Sequence, residues 1–313
     1  MNLTRNPHKS FSIAQTPLLT GKTAFVTGGN SGLGLETVKA IAARGAHVFL
    51  ATRNQKKGVA AADAVKEAFP AASIEVITLD LGSSASIKLA ANKFADTHEK
   101  LDILVNNAGL MAVPLGQTED GFETQFGVNY LGHWSLTSLL MPQLLKAPSA
   151  RIITVTSLAH HFCSGIDFDD PHLRKKYSPW GAYTQSKLAN YYFAIGLHRE
   201  FQNSGSAAKS LLAHPGLSQT NLQQETAKQG AAGSSGKFLM YLTASQGMSA
   251  AVGALPQVRA ALDPKAKSGQ FYVPKFGNVG APITRPFFRS GSAKAIKKLW
   301  KLSEQETGLK ILI

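Results

Sequence analysis

Short apolar, β-branched runs alternate with longer helical stretches along nearly the whole chain. No other feature constrains the fold as much, because strands joined through helices pair in parallel and bury both faces of their sheet. Thr23-Ala-Phe-Val-Thr27 reads as the first strand, and residues 35–44 as a helix stopped at Gly45. Further strands are expected at 46–51, 74–79, 102–105, 151–156, 210–213 and 270–273. Helices are expected between them at 55–69, 83–98, 119–145, 182–202 and 245–262. The fold class that follows is α/β: one doubly wound domain with a seven-stranded parallel sheet and helices on both faces. No linker rich in Pro, Gly or Ser divides it, so residues 21–273 are taken as one unit. Residues 1–20 form an N-terminal extension, and 274–313 a C-terminal extension packed on or beside the domain. Ligands of such sheets sit beyond the carboxyl ends of the strands.

The first strand runs into Gly28-Gly-Asn-Ser-Gly32-Leu-Gly34, with a helix immediately after. Glycines there allow positive φ and close approach of backbone to a pyrophosphate at the helix N-terminus. The second strand ends Ala51-Thr52-Arg53-Asn54, and no Asp or Glu occurs between Glu36 and Asp63. An acidic residue in that region would hold the free ribose hydroxyls of NAD. Its absence, with Arg53 available to pair with a 2′-phosphate, favours NADP(H) over NAD(H). Arg53 stacked on adenine or facing solvent is the alternative. Later, Tyr183 and Lys187 stand four residues apart in a helical stretch and so share a face. An ammonium beside a phenol favours phenolate, which suits proton transfer. Alone, such a pair is also an ordinary surface contact.

Taken together these stretches resemble the short-chain dehydrogenase/reductase family over roughly residues 20–275. Residues 27–34 look like its cofactor glycine motif, with Gly28, Asn30, Ser31, Gly32, Leu33 and Gly34 against the cofactor. Asp80 and Leu81 look like its adenine contact. Asn106-Asn107-Ala108-Gly109 looks like the signature that lines the cofactor. Asn129, Ser157, Tyr183 and Lys187 match the catalytic tetrad, and Pro215, Gly216 and Thr220 the segment closing on the nicotinamide. Ser157-Leu-Ala-His160, Phe168 and residues 183–190 look like the retinol dehydrogenase-like branch, which includes WW-domain oxidoreductases.

The resemblance implies a Rossmann-type, dinucleotide-binding catalytic domain that interconverts an alcohol and a carbonyl, reducing a lipophilic aldehyde or ketone with NADPH. It implies that Ser157 bonds the substrate oxygen and that Tyr183 moves the proton. Lys187 would lower the tyrosine pKa and hold the nicotinamide ribose, and Asn129 would anchor a water. The other reading is an NADP-binding regulatory or scaffold protein with little turnover. Substrate choice is assigned to residues 159–181 and to a lid near 220–241, where Leu222, Phe238, Leu239 and Met240 offer apolar side chains.

Composition sets the remaining bounds. Cys163 is the only cysteine, which excludes an intrachain disulfide framework. The nearby thiol is expected to be inert, and His160, His161 and His214 to be structural; no metal is expected. The net charge is +14, a field that favours anionic partners. Eight Lys/Arg from Lys275 onward face only Glu304 and Glu306. That tail is expected to be a solvated basic helix, with peripheral contact to an anionic membrane as the functional alternative. No nucleic-acid module accompanies it. Residues 1–20 carry Pro7 and Pro17 and no apolar run, so neither a secretory signal nor an anchor is expected. No stretch is long and apolar enough for a span, and a cytoplasmic monomer or homodimer is the expectation.

Overall fold

A computed structural model describes residues 11–218, 247–287 and 292–313. Eight strands form one sheet in the order β3-β2-β1-β4-β5-β6-β7-β8. They are β1 (Thr23–Thr27), β2 (His47–Thr52), β3 (Ser73–Thr78), β4 (Ile103–Asn106), β5 (Arg151–Val155), β6 (Lys209–Ala213), β7 (Gln270–Pro274) and β8 (Pro282–Pro286). The first seven pair in parallel, and β8 runs antiparallel to β7. The architecture is the expected Rossmann-type sheet with one strand more. Ala281-Pro-Ile-Thr-Arg-Pro286 does not read as a strand because proline cannot donate to a ladder. At a sheet edge that restriction is tolerated, and β8 is the edge strand.

Seven α-helices of eleven or more residues are described: α1 (Gly32–Ala42), α2 (Gln55–Ala68), α3 (Ser84–Thr97), α4 (Gly132–Lys146), α5 (Pro179–Asn203), α6 (Ala250–Leu262) and α7 (Ser292–Thr307). The period-2 alternation of the strands sorts the core into two layers. Phe25 and Phe49 point to one face, where they meet Phe94 of α3; Leu140 of α4 and Phe193 of α5 belong to the same layer. Val26, Val48 and Leu50 point to the other, among Val38 of α1, Val65 of α2 and Val258 of α6. Strand order reverses between β1 and β4, which fixes where a crevice opens.

Two helix expectations need correction. The helix expected at 119–145 begins only at Thr124, capped by the buried Glu123 carboxylate, which accepts from Gln125 N at 2.8 Å and Phe126 N at 2.6 Å. A π-helical turn, Gly127–Leu131, then leads into α4. The helix expected from 182 starts a turn earlier, with Ser178 as N-cap and Pro179 in the first turn. Both are favoured there, because Pro has no N–H to leave unsatisfied.

The basic tail forms a further helix. Ile296, Leu299 and Ser303 of α7 are buried while Lys294, Lys297, Lys298 and Lys301 are exposed. Spacings of three and four put the buried set on one face, and α7 lies on α5. Gly196 of α5 makes room for the Trp300 ring, which a methyl at that position would strike. The helix is docked, and only its outer face is the solvated basic surface expected. Among the described residues no helix is long and apolar enough to cross a membrane.

Candidate active site

The crevice between β1 and β4 opens into a cleft of about 1390 Å³. At its base β1 ends in Thr27, and Gly28 turns the chain with φ +65° toward α1. Ser31 caps α1 without a side-chain cap bond, and Ser31, Gly32, Leu33 and Gly34 line the cleft. A helix N-terminus offers N–H donors and positive potential to an anion. Gly34 packs so tightly that an added methyl would collide with the Gly28 carbonyl oxygen and crowd the Asn107 amide. Gly34→Ala is therefore expected to cost about 1–3 kcal/mol of stability and to weaken dinucleotide binding. Urea unfolding and a cofactor titration check both.

The Thr27 hydroxyl is the hub beneath this turn. It accepts from the N–H groups of Asn107 and Ala108, each at 2.9 Å, and lies 2.9 Å from His133 Nε2. His133 Nδ1 lies 3.0 Å from the Asn129 carbonyl oxygen. A carbonyl can only accept, so Nδ1 carries the proton of the neutral ring, Nε2 accepts, and Thr27 donates to it. Burial drives the His133 pKa down to about 4, with the Asn129 carbonyl opposing and Lys187 adding to the fall.

The sign of the resulting pH dependence follows directly. The unfolded chain protonates this ring as pH drops through about 6.5 while the folded chain does not, so stability is lost on acidification. The loss grows to roughly 3 kcal/mol by pH 4. Melting temperatures at pH 7 and 4.5 are expected to differ less for His133→Gln than for the unaltered chain.

Past the end of β2, Arg53 is exposed and lines the cleft with Thr52, Asn54 and Lys57. Thr52 Oγ1 donates to Asn30 Oδ1 at 2.9 Å, tying the end of β2 to the glycine turn. On the opposite side, Ser157 leaves β5, and Tyr183 and Lys187 project from α5. All three line the cleft. The Ser157 hydroxyl lies close enough to the Tyr183 phenol to bear on its pKa. Lys187 Nζ lies 5.8 Å from the Tyr183 ring centroid and donates to the Val155 carbonyl at 3.5 Å. Burial pushes the phenol up to about 12, against the Ser157 hydroxyl, and brings Lys187 down to about 8. The expected depression of the tyrosine by Lys187 is not seen within the fold itself: burial raises the phenol and only Ser157 opposes it.

Asn129 sits in the π turn and is fully buried. Its amide donates to the Leu110 carbonyl at 2.9 Å and to Ser186 Oγ at 2.9 Å, and its oxygen accepts from Leu110 N at 2.7 Å. Gly109 is pressed between Asn129 and the Lys187 ammonium. The tetrad positions are therefore contiguous, with Asn129 behind the cleft wall.

Residues 22–231 match the short chain dehydrogenase family. The chain belongs to that family. It is similar to human retinol dehydrogenase 13, at 44% identity over 69% of this chain and 64% of that one. It therefore spans less than two thirds of the length of that retinol dehydrogenase. A short-chain dehydrogenase/reductase of Aspergillus calidoustus, drtF, is 36% identical over 93% of this chain and 95% of its own. An uncharacterised protein from Mycobacterium paratuberculosis has a similar crystal structure, with TM-score 0.77 and 39% identity over 97% of this chain and all of that one.

Most of the expected cofactor positions of this short-chain dehydrogenase converge on the cleft: Gly28, Asn30, the glycine turn, Arg53, Leu81, Asn107, Ala108, Gly109, Pro215 and Gly216. Asp80 does not line it; its carboxylate accepts from Gly82 N at 2.8 Å within a turn. Thr220 and the lid at 220–241 lie outside the described residues.

Of the stretch assigned to substrate choice, Ala159, His161, Phe162 and Trp180 line the cleft. Met111 and Asn278 also line it and were not anticipated. Trp180 stands three residues before Tyr183, on the same helical face, and becomes legible once Ser178-Pro179 is taken as the helix start. His214 lines the cleft as well, its pKa driven down to about 3 by burial and the nearby His160. Among the described residues no cluster could hold a metal ion. Cys163 is buried, its thiol turned to the Gly165 carbonyl at 3.0 Å.

Proposed function

We propose that this short-chain dehydrogenase uses NADP(H) to interconvert an alcohol and a carbonyl, acting as a reductase of lipophilic aldehydes or ketones. The observation that carries the reading is the Ser157–Tyr183–Lys187 group on the wall of a cleft floored by the glycine turn. A cradle that a single methyl at Gly34 would block, set at a helix N-terminus, fits a pyrophosphate. Arg53 beside it, with no carboxylate near, fits a 2′-phosphate. Bound there, a nicotinamide cofactor supplies or accepts hydride; the protein orients and polarises.

A phenol held up at about 12 is protonated at neutral pH, and an acid is what a carbonyl oxygen needs as it becomes an alcohol. Tyr183 gives that proton in reduction and takes it back in oxidation. Ser157 bonds the same oxygen. Lys187, at about 8, is cationic at neutral pH and stabilises the phenolate left behind. It would also hold the nicotinamide ribose. Asn129 would anchor a water leading from Lys187 to solvent. Its side-chain amide is committed to Leu110 and Ser186, so a water held there would have to bond an oxygen of the residue. Trp180, Met111, Leu158 and Phe162 give the substrate end an apolar lining, in keeping with a lipophilic substrate.

A panel of aldehydes and ketones assayed for NADPH consumption tests the reading. Turnover of at least one apolar member is expected. Tight NADPH binding without oxidation by any carbonyl would favour a cofactor-holding regulatory protein instead.

A further inference from the structure

The family match ends at residue 231, yet the tail beyond it touches the segment that carries Asn129 at three places. The first is Tyr130, next to Asn129 in the π turn and fully buried. Its phenol lies 2.5 Å from Ser303 Oγ of α7. Ser303 spends its one hydrogen on the Leu299 carbonyl at 2.8 Å, so Tyr130 is the donor and Ser303 the acceptor.

The second is Trp134, at the start of α4. Its indole N–H donates to the Leu309 carbonyl at 3.2 Å, and its ring meets Trp300 edge to face at 4.8 Å.

The third runs through the insertion between Ser157 and Tyr183. His172 Nδ1 accepts from Glu123 N at 3.1 Å, which leaves Nε2–H to donate to Glu306 at 3.2 Å. Glu123 is the cap of the helical segment itself. Lys298, over the Phe168 ring at 5.4 Å, adds a further tie from α7 to the same insertion.

Positions 123, 130 and 134 straddle Asn129. A π turn is an uncommon departure from α-helix, and such local conformations persist where surrounding contacts over-determine them. Here part of that determination comes from a tail more than 160 residues away in sequence.

We propose that the C-terminal helix positions Asn129: Ser303, Glu306 and the Leu309 carbonyl splint residues 123–134 and so hold the π turn against Leu110, Gly109 and the Lys187 helix. Ser303, Glu306 and Tyr130 are positioning residues in this account, which rests on Asn129 serving the proposed reaction.

Two variants remove the central strut from either side. Tyr130→Phe leaves Ser303 still bonded to Leu299, so no buried group loses its partner. Ser303→Ala strips the phenol of its acceptor. In both, amide exchange of residues 124–134 is expected to quicken while α1 stays as it was, measured by hydrogen–deuterium exchange on the full chain. In the carbonyl assay kcat is expected to fall about 2–30-fold, with KM and NADPH affinity within about twofold, the pattern of a group felt in the transition state. Glu306→Ala is expected to act likewise. Glu306→Gln, which keeps an oxygen for His172, is expected to restore kcat.

Exchange that is unchanged, or faster evenly along the chain, would overturn the splint. A selective quickening with kcat intact would overturn the positioning of Asn129. The exchange result does not depend on turnover, so failure of the splint and failure of the proposed reaction are told apart.

Discussion

Tyr183→Phe is expected to lower kcat for carbonyl reduction by roughly 10²–10⁴-fold, the usual worth of a general acid, while NADPH affinity stays within about twofold. The variant keeps the ring that packs on Trp180, Met111 and Ala112 and removes only the hydroxyl. Ser157 stays on the lining of the cleft. The pH profile of the unaltered enzyme gives a second handle. Lys187, brought down to about 8 by burial, loses its charge as pH rises through that value, and with it the stabilisation of the phenolate. The reductive kcat is expected to decline above about pH 8, and stopped-time assays from pH 6 to 10 would show it. Unimpaired turnover by Tyr183→Phe would remove the tyrosine from the chemistry.

Arg53→Ala is expected to weaken NADPH binding about 10–100-fold and to leave NADH binding nearly unchanged. One charge-assisted hydrogen bond to a phosphate, about 1.5–3 kcal/mol, accounts for that range. The side chain is exposed on the cleft past the end of β2, with Lys57 also on the lining and no carboxylate beside it. Arg53→Asp goes further, setting a negative charge against the 2′-phosphate and supplying an acceptor for free ribose hydroxyls. Its preference is expected to turn toward NADH. Fluorescence titration of both cofactors into the three proteins measures this, and equal losses for NADPH and NADH in Arg53→Ala would leave the arginine as a stacking group.

Much of this architecture is legible in the residues. Phe25 and Phe49 on one face of the sheet and Val26, Val48 and Leu50 on the other follow from strand alternation alone. The glycine turn announces the crevice, and Tyr183 and Lys187 announce a shared helical face. What escapes is what depends on distant partners. The π turn at Asn129 has no local signal, because its contacts come from Leu110, Ser186 and Ser303. The insertion before Tyr183 is shaped by Tyr177 donating to the Val113 carbonyl, by Gln185 reaching Asp167 and by His172 reaching Glu306. None of these pairs is close in sequence. Two further features carry local signals. Ser178-Pro179 is a regular helix start, and Ile296, Leu299, Trp300 and Ser303 carry helical spacing under a run of lysines. The edge strand β8 was masked by the two prolines that mark its ends.

The central claim is that the cleft transfers hydride between a nicotinamide and a carbon–oxygen centre. The most direct test is to incubate the full chain with NADPH carrying deuterium at nicotinamide C4, each face in turn, and a panel of aldehydes and ketones. One labelled face is expected to yield an alcohol carrying deuterium at its carbinol carbon, with the label from the other face retained on the oxidised cofactor. Alcohol without label from either face, or no alcohol from any member of the panel despite bound NADPH, would contradict the account.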